Sequence, residues 1–444
     1  MSSEAAAMAP RSGRRIGGRL HQARRYTTIL LARGTGTGLQ FLAQVLVGQV
    51  LGAAALGALS LTQSWTSLLG TLGSLGSPAF VLRRTAIQPG IAQRPNRLSW
   101  LQFGWITALI GGTLTALGFV GLASLFPAVM DAATPLTLII IIALGGFCFS
   151  FSRIYMEEQK GRGLVQRSML MEFSAPFAAI MVIVPVASVL PSPYEILAVA
   201  SAYILAFALA AVLFTRRVWQ LPLKVMSPSA WRRRAQRTWT ELAALLGVDI
   251  GNQVTTALPL LLLAALGGLK EAAIFGVATR LIGLTATISS TLTGHYAQQV
   301  IGAYRARNSR AIRSLYTQSL AANALISACV LLPMIFLPYY CLLPFGAEIA
   351  TALAIQVLIV MASLRLARQC LGLSQLFLMA SGKNHYDVLS LAVSITVMGV
   401  VILAAPHTDA LTMAIAAGSA TLVRGALSWL AVMLVANPIR LRLG

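Results

Sequence analysis

The stretch RRVWQLPLKVMSPSAWRRRAQRTWTE, residues Arg216 to Glu241, decides how the rest of the chain is arranged. It contains seven Lys and Arg residues and no acidic residue before Glu241. The chain becomes strongly apolar on both sides of this stretch. Polybasic segments beside hydrophobic spans remain on the cytoplasmic side of a membrane. The stretch therefore predicts a cytoplasmic linker between two halves of comparable length.

Composition places most of the chain in lipid. The 444 residues are 57% hydrophobic and 10% charged, with a mean hydropathy of +0.77. The net charge of +22 does not indicate nucleic-acid binding, because most of the 34 Lys and Arg residues fall in loops or helix ends on one predicted side. This asymmetry is the one that positive residues show in membrane proteins. The four cysteines show no CxxC spacing and predict neither a metal site nor a disulfide framework.

Twelve segments are long and apolar enough to cross a membrane, which takes about 20 residues each. An even number places both termini in the cytoplasm, as the basic residues in 1–25 and 437–444 require. Residues 1–25 lack the apolar centre of a signal peptide, so a disordered cytoplasmic tail is expected there. The segments are 26–51, 54–82, 98–126, 135–156, 168–190, 195–215, 241–266, 272–296, 314–337, 349–379, 385–405 and 409–435.

The predicted fold class is an all-α polytopic membrane protein with about 12 transmembrane helices in two pseudo-symmetric six-helix lobes. Six helices in each half imply parallel repeats about an axis along the membrane normal. The predicted units are a tail at 1–25, an N-terminal lobe at 26–215, a linker at 216–240, a C-terminal lobe at 241–436 and a tail at 437–444.

Several apolar segments carry polar stripes. Arg33, Gln40 and Gln44 share one face of the first helix. In the second half, Arg365 and Arg368 lie one turn apart in the predicted tenth helix. Arg280 lies in the eighth helix and Arg424 in the twelfth.

A charge at the bilayer centre costs at least ~2.5–3.5 kcal/mol, so it faces protein or water. One interpretation of these arginines is structural pairing or extension to the interface, which suits Arg33 near its helix end. The other is a cavity for an anionic solute, because guanidinium groups bind phosphate well. Asp249 is the one clearly deep carboxylate in the sequence, whereas Glu172 and Glu241 fall near the inner interface.

Asp249 itself has two interpretations. It neutralises Arg280 or another arginine, or it binds a coupling proton or sodium ion, as intramembrane carboxylates of transporters do. The four histidines fall at or beyond helix ends and predict no metal site. With no nucleotide-binding loop, nucleophile elbow or paired acids, the chain is expected to be neither an enzyme nor a cofactor-binding protein.

The chain resembles the polysaccharide transporters, which are the O-antigen and exopolysaccharide flippases of the multidrug/oligosaccharidyl-lipid/polysaccharide exporter superfamily. The resemblance runs from about Ala32 to Ala436 and includes the inner boundary at Arg83 and Arg84. The matching stretches are LGAAALGALSLTQSW (Leu51–Trp65), ALGGLKEAAIFGVATRLIGL (Ala265–Leu284) and PFGAEIATALAIQVLIVMASLRL (Pro344–Leu366). Many relatives carry an arginine where this chain has Gln49, so the family's charge arrangement cannot be copied over whole.

The resemblance implies a V-shaped, MATE-like exporter that works by alternating access in the bacterial inner membrane. Its substrate would be an undecaprenyl-pyrophosphate-linked oligosaccharide, an O-antigen or exopolysaccharide repeat unit. The implied partners are this lipid-linked oligosaccharide, membrane lipids, a polysaccharide polymerase and a chain-length regulator. Family cavities are cationic, and the cavity candidates here are Arg33, Gln40, Gln44, Arg280, Arg365, Arg368 and Arg424.

Two other functions fit parts of the sequence. Another lipid or multidrug exporter of the same superfamily would share the fold, but a cation exporter should have a cavity biased toward acids. A membrane polysaccharide polymerase or ligase would handle similar substrates, but it needs a substantial outside loop. No outside loop in the predicted topology is long enough for glycosyl transfer.

Overall fold

The structure, a computed structural model, describes residues 13–86, 95–125, 136–162, 164–191, 194–219, 227–306, 308–381, 383, 385–405, 407 and 409–436. Side chains of residues 13–33, 83–86, 95–99 and a few single positions lie outside this description. All regular structure in the described part is helical. The α-helices are α1 (Gly13–Gly73), α2 (Ser77–Ala86), α3 (Pro95–Leu125), α4 (Leu136–Gly161), α5 (Val165–Met169), α6 (Ala175–Ala187), α7 (Tyr194–Trp219), α8 (Pro228–Leu266), α9 (Gly268–Arg305), α10 (Ser309–Phe336), α11 (Pro338–Leu342), α12 (Ala352–Gln369), α13 (Ser374–Ala380), α14 (His385–Ala404) and α15 (Ala410–Ala431).

In the described part, eleven helical segments are long and apolar enough to cross a membrane. The longest, Gly34–Gly73, is broken at Gly52, where φ is 84° and ψ is −178°. Glycine adopts this conformation without a steric penalty, so the chain can turn there. The break divides that segment into two crossings, which gives twelve. A helix satisfies its own backbone hydrogen bonds in lipid, and the predicted all-α polytopic fold is confirmed.

The basic stretch is not the loop that the sequence predicted. α7 continues to Trp219, and α8 already begins at Pro228. The reason is an apolar face at helical spacing, with Trp231 and Leu242 packed in one cluster with Phe103. The arginines of the opposite face, such as Arg232, remain exposed. The helix therefore extends beyond the membrane segment on its predicted cytoplasmic side.

Helices α1–α7 form the N-lobe and α8–α15 form the C-lobe. At the end predicted to be external, the turn at Gly52 packs against the C-lobe. A Cβ atom on Gly57 would lie 2.1 Å from the carbonyl oxygen of Leu269, and one on Gly48 would lie 2.3 Å from that of Phe345. Gln49 donates a hydrogen bond to the Pro344 carbonyl oxygen at 2.9 Å. Backbones from the two lobes thus approach as closely as small residues permit.

The lobes also contact each other at the end predicted to be cytoplasmic. The Trp231 ring of α8 stacks on Phe103 of α3 at 6.3 Å between centroids, and its indole nitrogen donates to the Thr107 hydroxyl at 3.4 Å. A Cβ atom on Gly76 would lie 2.4 Å from the carbonyl oxygen of Leu242. The space between the lobes is therefore flanked by direct contacts at both ends.

Candidate functional site

A central cavity of about 430 Å³ lies between the two lobes. The N-lobe contributes Gln40 and Gln63 to its wall, and the C-lobe contributes Gln253 and Thr256. Most of the other polar lining residues are Ser and Thr. The volume is within the range of small-molecule sites, which is about 300–1,000 Å³.

The charged groups of the central cavity each have a partner. The Arg280 guanidinium donates a hydrogen bond to Gln63 Oε1. Glu172, in a π-helical turn at Leu170–Ser174, lies 3.4 Å from the Lys160 ammonium. One cation and one anion therefore line the central cavity, and neither is left without a polar contact.

Two further cavities lie within the C-lobe, with volumes of about 340 Å³ and 130 Å³. Arg365 and Arg368 line both of them, and no acidic residue lines either one. Arg365 donates through Nε to the Thr285 hydroxyl at 3.2 Å. Among the described residues, Arg368 has no hydrogen bond or ion pair. We call these two spaces the arginine cavities.

A break in the tenth membrane-crossing helix positions Arg365 and Arg368. The sequence predicted one helix over 349–379, with Arg365 and Arg368 near its middle, but α12 ends at Gln369 and α13 begins at Ser374. Gly372 has φ 75°, a left-handed backbone conformation that glycine adopts readily and that interrupts the helix. The Gln369 carbonyl accepts hydrogen bonds from the Gly372 N–H at 3.1 Å and from the Asn323 amide at 3.0 Å, so this carbonyl at the break is satisfied inside the protein. The two arginines therefore occupy the last turns of α12, beside a non-helical segment.

Arg424 differs from these two because it is paired. Its Nη2 lies 3.3 Å from Asp387 Oδ2, and its Nη1 donates to Asn252 Oδ1 at 2.7 Å. It still lines the smaller arginine cavity. Asp387 is not recognisable from the sequence as a deep carboxylate, because it follows the helix start at His385 by only two residues.

The C-lobe arginines form one layer across the membrane. Arg280, Arg365 and Arg424 lie 12, 13 and 14 residues after the first residues of α9, α12 and α15. At 1.5 Å per residue, this depth is about 18–21 Å from the end predicted to be external. Arg368 lies one turn deeper. In a hydrocarbon core about 30 Å thick, the layer falls on the inner side of the midplane.

Asp249 pairs with an arginine of the other lobe. Its Oδ2 lies 3.2 Å from Arg153 Nη2, and the other guanidinium nitrogen donates to the Thr71 hydroxyl at 2.9 Å. From the sequence, Asp249 is expected to neutralise Arg280 or another arginine, and in the structure that arginine is Arg153. That residue was missed because the sequence places it at a helix end near Glu157 and Lys160.

The other predicted residues divide as follows. Gln40 lines the central cavity. Gln44 does not line any of the three cavities; it is 2% exposed, because it lies one turn further along α1 beside fully buried Ala43 and Val47. The Arg33 side chain lies outside the described residues. Within the described part, no group of three or more His, Cys, Asp or Glu residues could hold a metal ion.

No protein-family model and no curated protein matches this chain. Solved structures match its fold. A multidrug resistance MATE family transporter of the MOP superfamily, in an inward-facing conformation, has a TM-score of 0.65 and 14% identity over 90% of this chain and 96% of its own. The lipid II flippase MurJ, in an inward closed conformation, has a TM-score of 0.62 and 11% identity over 92% of this chain and 87% of its own.

A third match is a MOP superfamily transporter from Pyrococcus furiosus, whose binding pocket is described as having reverse polarity. Its TM-score is 0.60, with 14% identity over 91% of this chain and 94% of its own. At these identities the matches concern the fold. The protein therefore has the two-lobed, all-helical membrane fold that MATE transporters and MurJ share.

Proposed function

We propose that the protein exports an undecaprenyl-pyrophosphate-linked oligosaccharide, an O-antigen or exopolysaccharide repeat unit, across the bacterial inner membrane by alternating access. The observation that carries this proposal is the pair Arg365 and Arg368, which line the arginine cavities without an acidic partner. Both termini and the basic stretch would face the cytoplasm, in agreement with the positive-inside rule.

Two unpaired guanidinium groups suit a pyrophosphate for reasons of charge and shape. Arginine is always charged and presents planar, paired donors that match phosphate oxygens. A pyrophosphate diester carries two negative charges, and Arg365 and Arg368 supply two positive ones. Each intramembrane charge costs at least ~2.5–3.5 kcal/mol. Neither arginine forms an ion pair with a described residue, and Asp387, which attracts Arg368, is already paired with Arg424. The excess positive charge therefore supports a ligand that compensates it.

The fold supports an exporter rather than a membrane polymerase or ligase. MurJ is named as a lipid II flippase, and the other matches are named as transporters. An exported lipid-linked repeat unit would then pass to a polysaccharide polymerase and a chain-length regulator. The protein would need no cofactor. Coupling to an ion would use a proton or a sodium ion bound at Asp249.

A second candidate is another lipid or multidrug exporter of the same fold. Glu172 favours it, because a carboxylate in the wall of the central cavity could attract a cationic drug. The MATE structure with the TM-score of 0.65 is named as a multidrug resistance transporter. The two candidates therefore differ in the sign of the charge they predict for the ligand.

Binding measurements on the purified protein separate these candidates. The ligands are a prenyl pyrophosphate, the matching prenyl alcohol and a lipophilic monovalent cation. The pyrophosphate should bind best, and Arg365→Gln with Arg368→Gln should weaken its binding at least about a hundredfold, because each of the two charge-assisted bonds contributes about 1.5–3 kcal/mol. Arg232→Gln, an exposed arginine of α8, is the matched control. Binding of the cation but not of the pyrophosphate would favour the multidrug exporter.

A further inference from the structure

The central cavity and the arginine cavities offer different chemistry. In the central cavity, Arg280 is already bonded to Gln63 and Glu172 is paired with Lys160. Its remaining polar lining is uncharged amides and hydroxyls. In the arginine cavities, Arg365 and Arg368 have no acidic partner. An anionic group is therefore favoured in the arginine cavities, and an uncharged polar group is favoured in the central cavity.

The N-lobe wall of the central cavity includes four aromatic rings beside its polar residues. Phe149 packs edge-to-face on Phe207 at 4.8 Å between centroids, Phe207 on Tyr203 at 5.1 Å, and Tyr203 lies 6.0 Å from Phe177. All four rings line the cavity. The C–H groups of a sugar ring pack favourably on the electron-rich faces of aromatic rings. A cavity that combines aromatic rings with amides and hydroxyls therefore suits a carbohydrate.

Two polar groups of this cavity have no partner among the described residues. They are the Gln63 amide nitrogen and the Thr279 hydroxyl oxygen, both of which are buried. Leaving a buried polar atom unpaired costs about 1–3 kcal/mol. A ligand with several hydroxyl groups could accept from the amide and bond to the hydroxyl. Amides are well suited to sugars, since each one both donates and accepts.

On the basis of the function proposed above, we infer that the central cavity binds the first, uncharged sugar of the lipid-linked substrate, while the arginine cavities bind its pyrophosphate. The cavities adjoin in the way that this substrate requires. Thr256 lines both the central cavity and the smaller arginine cavity, and Ala286 lines both the central cavity and the larger one. In the substrate, the first sugar is bonded directly to the outer phosphate, so the two binding sites must be neighbours.

This arrangement also selects the kind of sugar. Glu172 lies in the central wall, and its carboxylate would repel a uronic acid in that position. The cavity has no second cation to offset such a charge, since Arg280 is the one arginine in its lining. The first sugar should therefore be a neutral one.

The test compares a prenyl pyrophosphate with a methyl ester on its terminal phosphate and the same lipid with one neutral hexose in place of the methyl group, so that both carry two negative charges. Binding of both is measured to the full-length wild type, to Gln40→Leu with Gln253→Leu, and to Arg365→Gln with Arg368→Gln. The control variant is Gln318→Leu, an exposed glutamine of α10 that lines none of the three cavities.

In the wild type, the hexose should improve binding about tenfold or more, because it adds hydrogen bonds to at least two amides. The Gln40 and Gln253 variant should lose this advantage and still bind the sugar-free lipid as the wild type does. The arginine variant should lose affinity for both lipids. A lipid that carries a hexuronic acid in place of the neutral hexose should bind no better than the sugar-free lipid.

Each contrary result has its own meaning. If the hexose gives no advantage in the wild type, or if the glutamine variant keeps the advantage, the central cavity is not a sugar site, and the pyrophosphate proposal is unaffected. If neither lipid depends on Arg365 and Arg368, the proposed function itself fails.

Discussion

Arg153 of the N-lobe and Asp249 of the C-lobe form an ion pair across the two lobes, with 3.2 Å between Nη2 and Oδ2. Thr71 accepts a further hydrogen bond from the same guanidinium, so the arginine is held from its own lobe. Asp249 lies in α8, on the part of the helix that follows the contact of Trp231 at the predicted cytoplasmic end. The pair can exist only while the lobes are close there. In an alternating-access cycle it must break when the cavity opens toward the cytoplasm.

Exchanging the charges of Arg153 and Asp249 distinguishes a structural role of Asp249 in the ion pair from a role in binding a coupling ion. We expect Asp249→Asn or Arg153→Gln alone to lower export, because each leaves an uncompensated charge between the lobes. The double variant Arg153→Asp with Asp249→Arg should restore a large part of the activity, because it restores the ion pair. Export is measured at matched protein abundance. If Asp249 instead binds a coupling ion, the exchanged variant stays inactive although the ion pair is restored.

The close approach at Gly57 should control closure at the external end. A Cβ atom there would lie 2.1 Å from the Leu269 carbonyl oxygen, and overpacking of this kind costs about 1–3 kcal/mol. Gly57→Ala should therefore favour separated lobes by about tenfold or more. A cysteine at Ser60, which is 2% exposed, should react faster with an alkylating reagent in a cysteine-free background.

Gly118→Ala is the matched control for this substitution, because a Cβ atom at Gly118 meets nothing within 4 Å. It should leave the alkylation rate unchanged. Equal rates for Gly57→Ala and the parent protein would show that the external contact does not limit opening.

The ion pair with Asp387 should make Arg424 less able to bind an anionic ligand. In Asp387→Asn, Arg424 keeps Asn252 but loses its carboxylate, and we expect the stability to fall by about 1–3 kcal/mol. The same variant adds a positive charge beside the smaller arginine cavity, so it should bind prenyl pyrophosphate more tightly. Thermal unfolding and ligand binding are measured together. Weaker binding in a folded protein would place Asp387 in a different role, and Glu195→Gln serves as the control carboxylate.

The orientation is tested by cysteine labelling in intact cells. A cysteine at Ser229, an exposed position of α8, should be protected from an impermeant reagent if the basic stretch is cytoplasmic. A cysteine at position 193, in a predicted external loop, should react. Both variants are made in a cysteine-free background. Labelling at 229 from outside would reverse the predicted orientation of the whole chain.

Much of the fold could be predicted from the sequence, because lipid imposes a simple length rule on apolar segments. The boundary between the predicted segments 26–51 and 54–82 coincides with the break at Gly52. The break at Gly372 was not predicted, because a single glycine inside an apolar run does not show whether a partner such as Asn323 will bond to a carbonyl at the break. The helical start of α8 was missed because its charges obscured the apolar face of Trp231 and Leu242.

The candidate site was predicted in part. The sequence identifies Arg365 and Arg368 because charges in an apolar helix are conspicuous. It does not show that Arg424 is paired with Asp387 whereas Arg368 is not. It also gives no sign of the ion pair between Arg153 and Asp249, since the two residues are far apart in the chain and meet only when the lobes pack. Pairing across lobes depends on tertiary geometry, which residue spacing does not encode.

The central claim is that Arg365 and Arg368 carry a pyrophosphate-linked lipid across the membrane, and flipping in proteoliposomes tests it most directly. A potential is imposed with potassium and valinomycin. Because one charge crossing 100 mV gains about 2.3 kcal/mol, movement of the anionic lipid away from the negative side should be accelerated. The wild type should flip the hexose-bearing prenyl pyrophosphate at a rate that rises with this potential. Arg365→Gln with Arg368→Gln should reduce flipping to the rate of protein-free vesicles, while Arg232→Gln should not. Flipping by the double variant at the wild-type rate would contradict the claim.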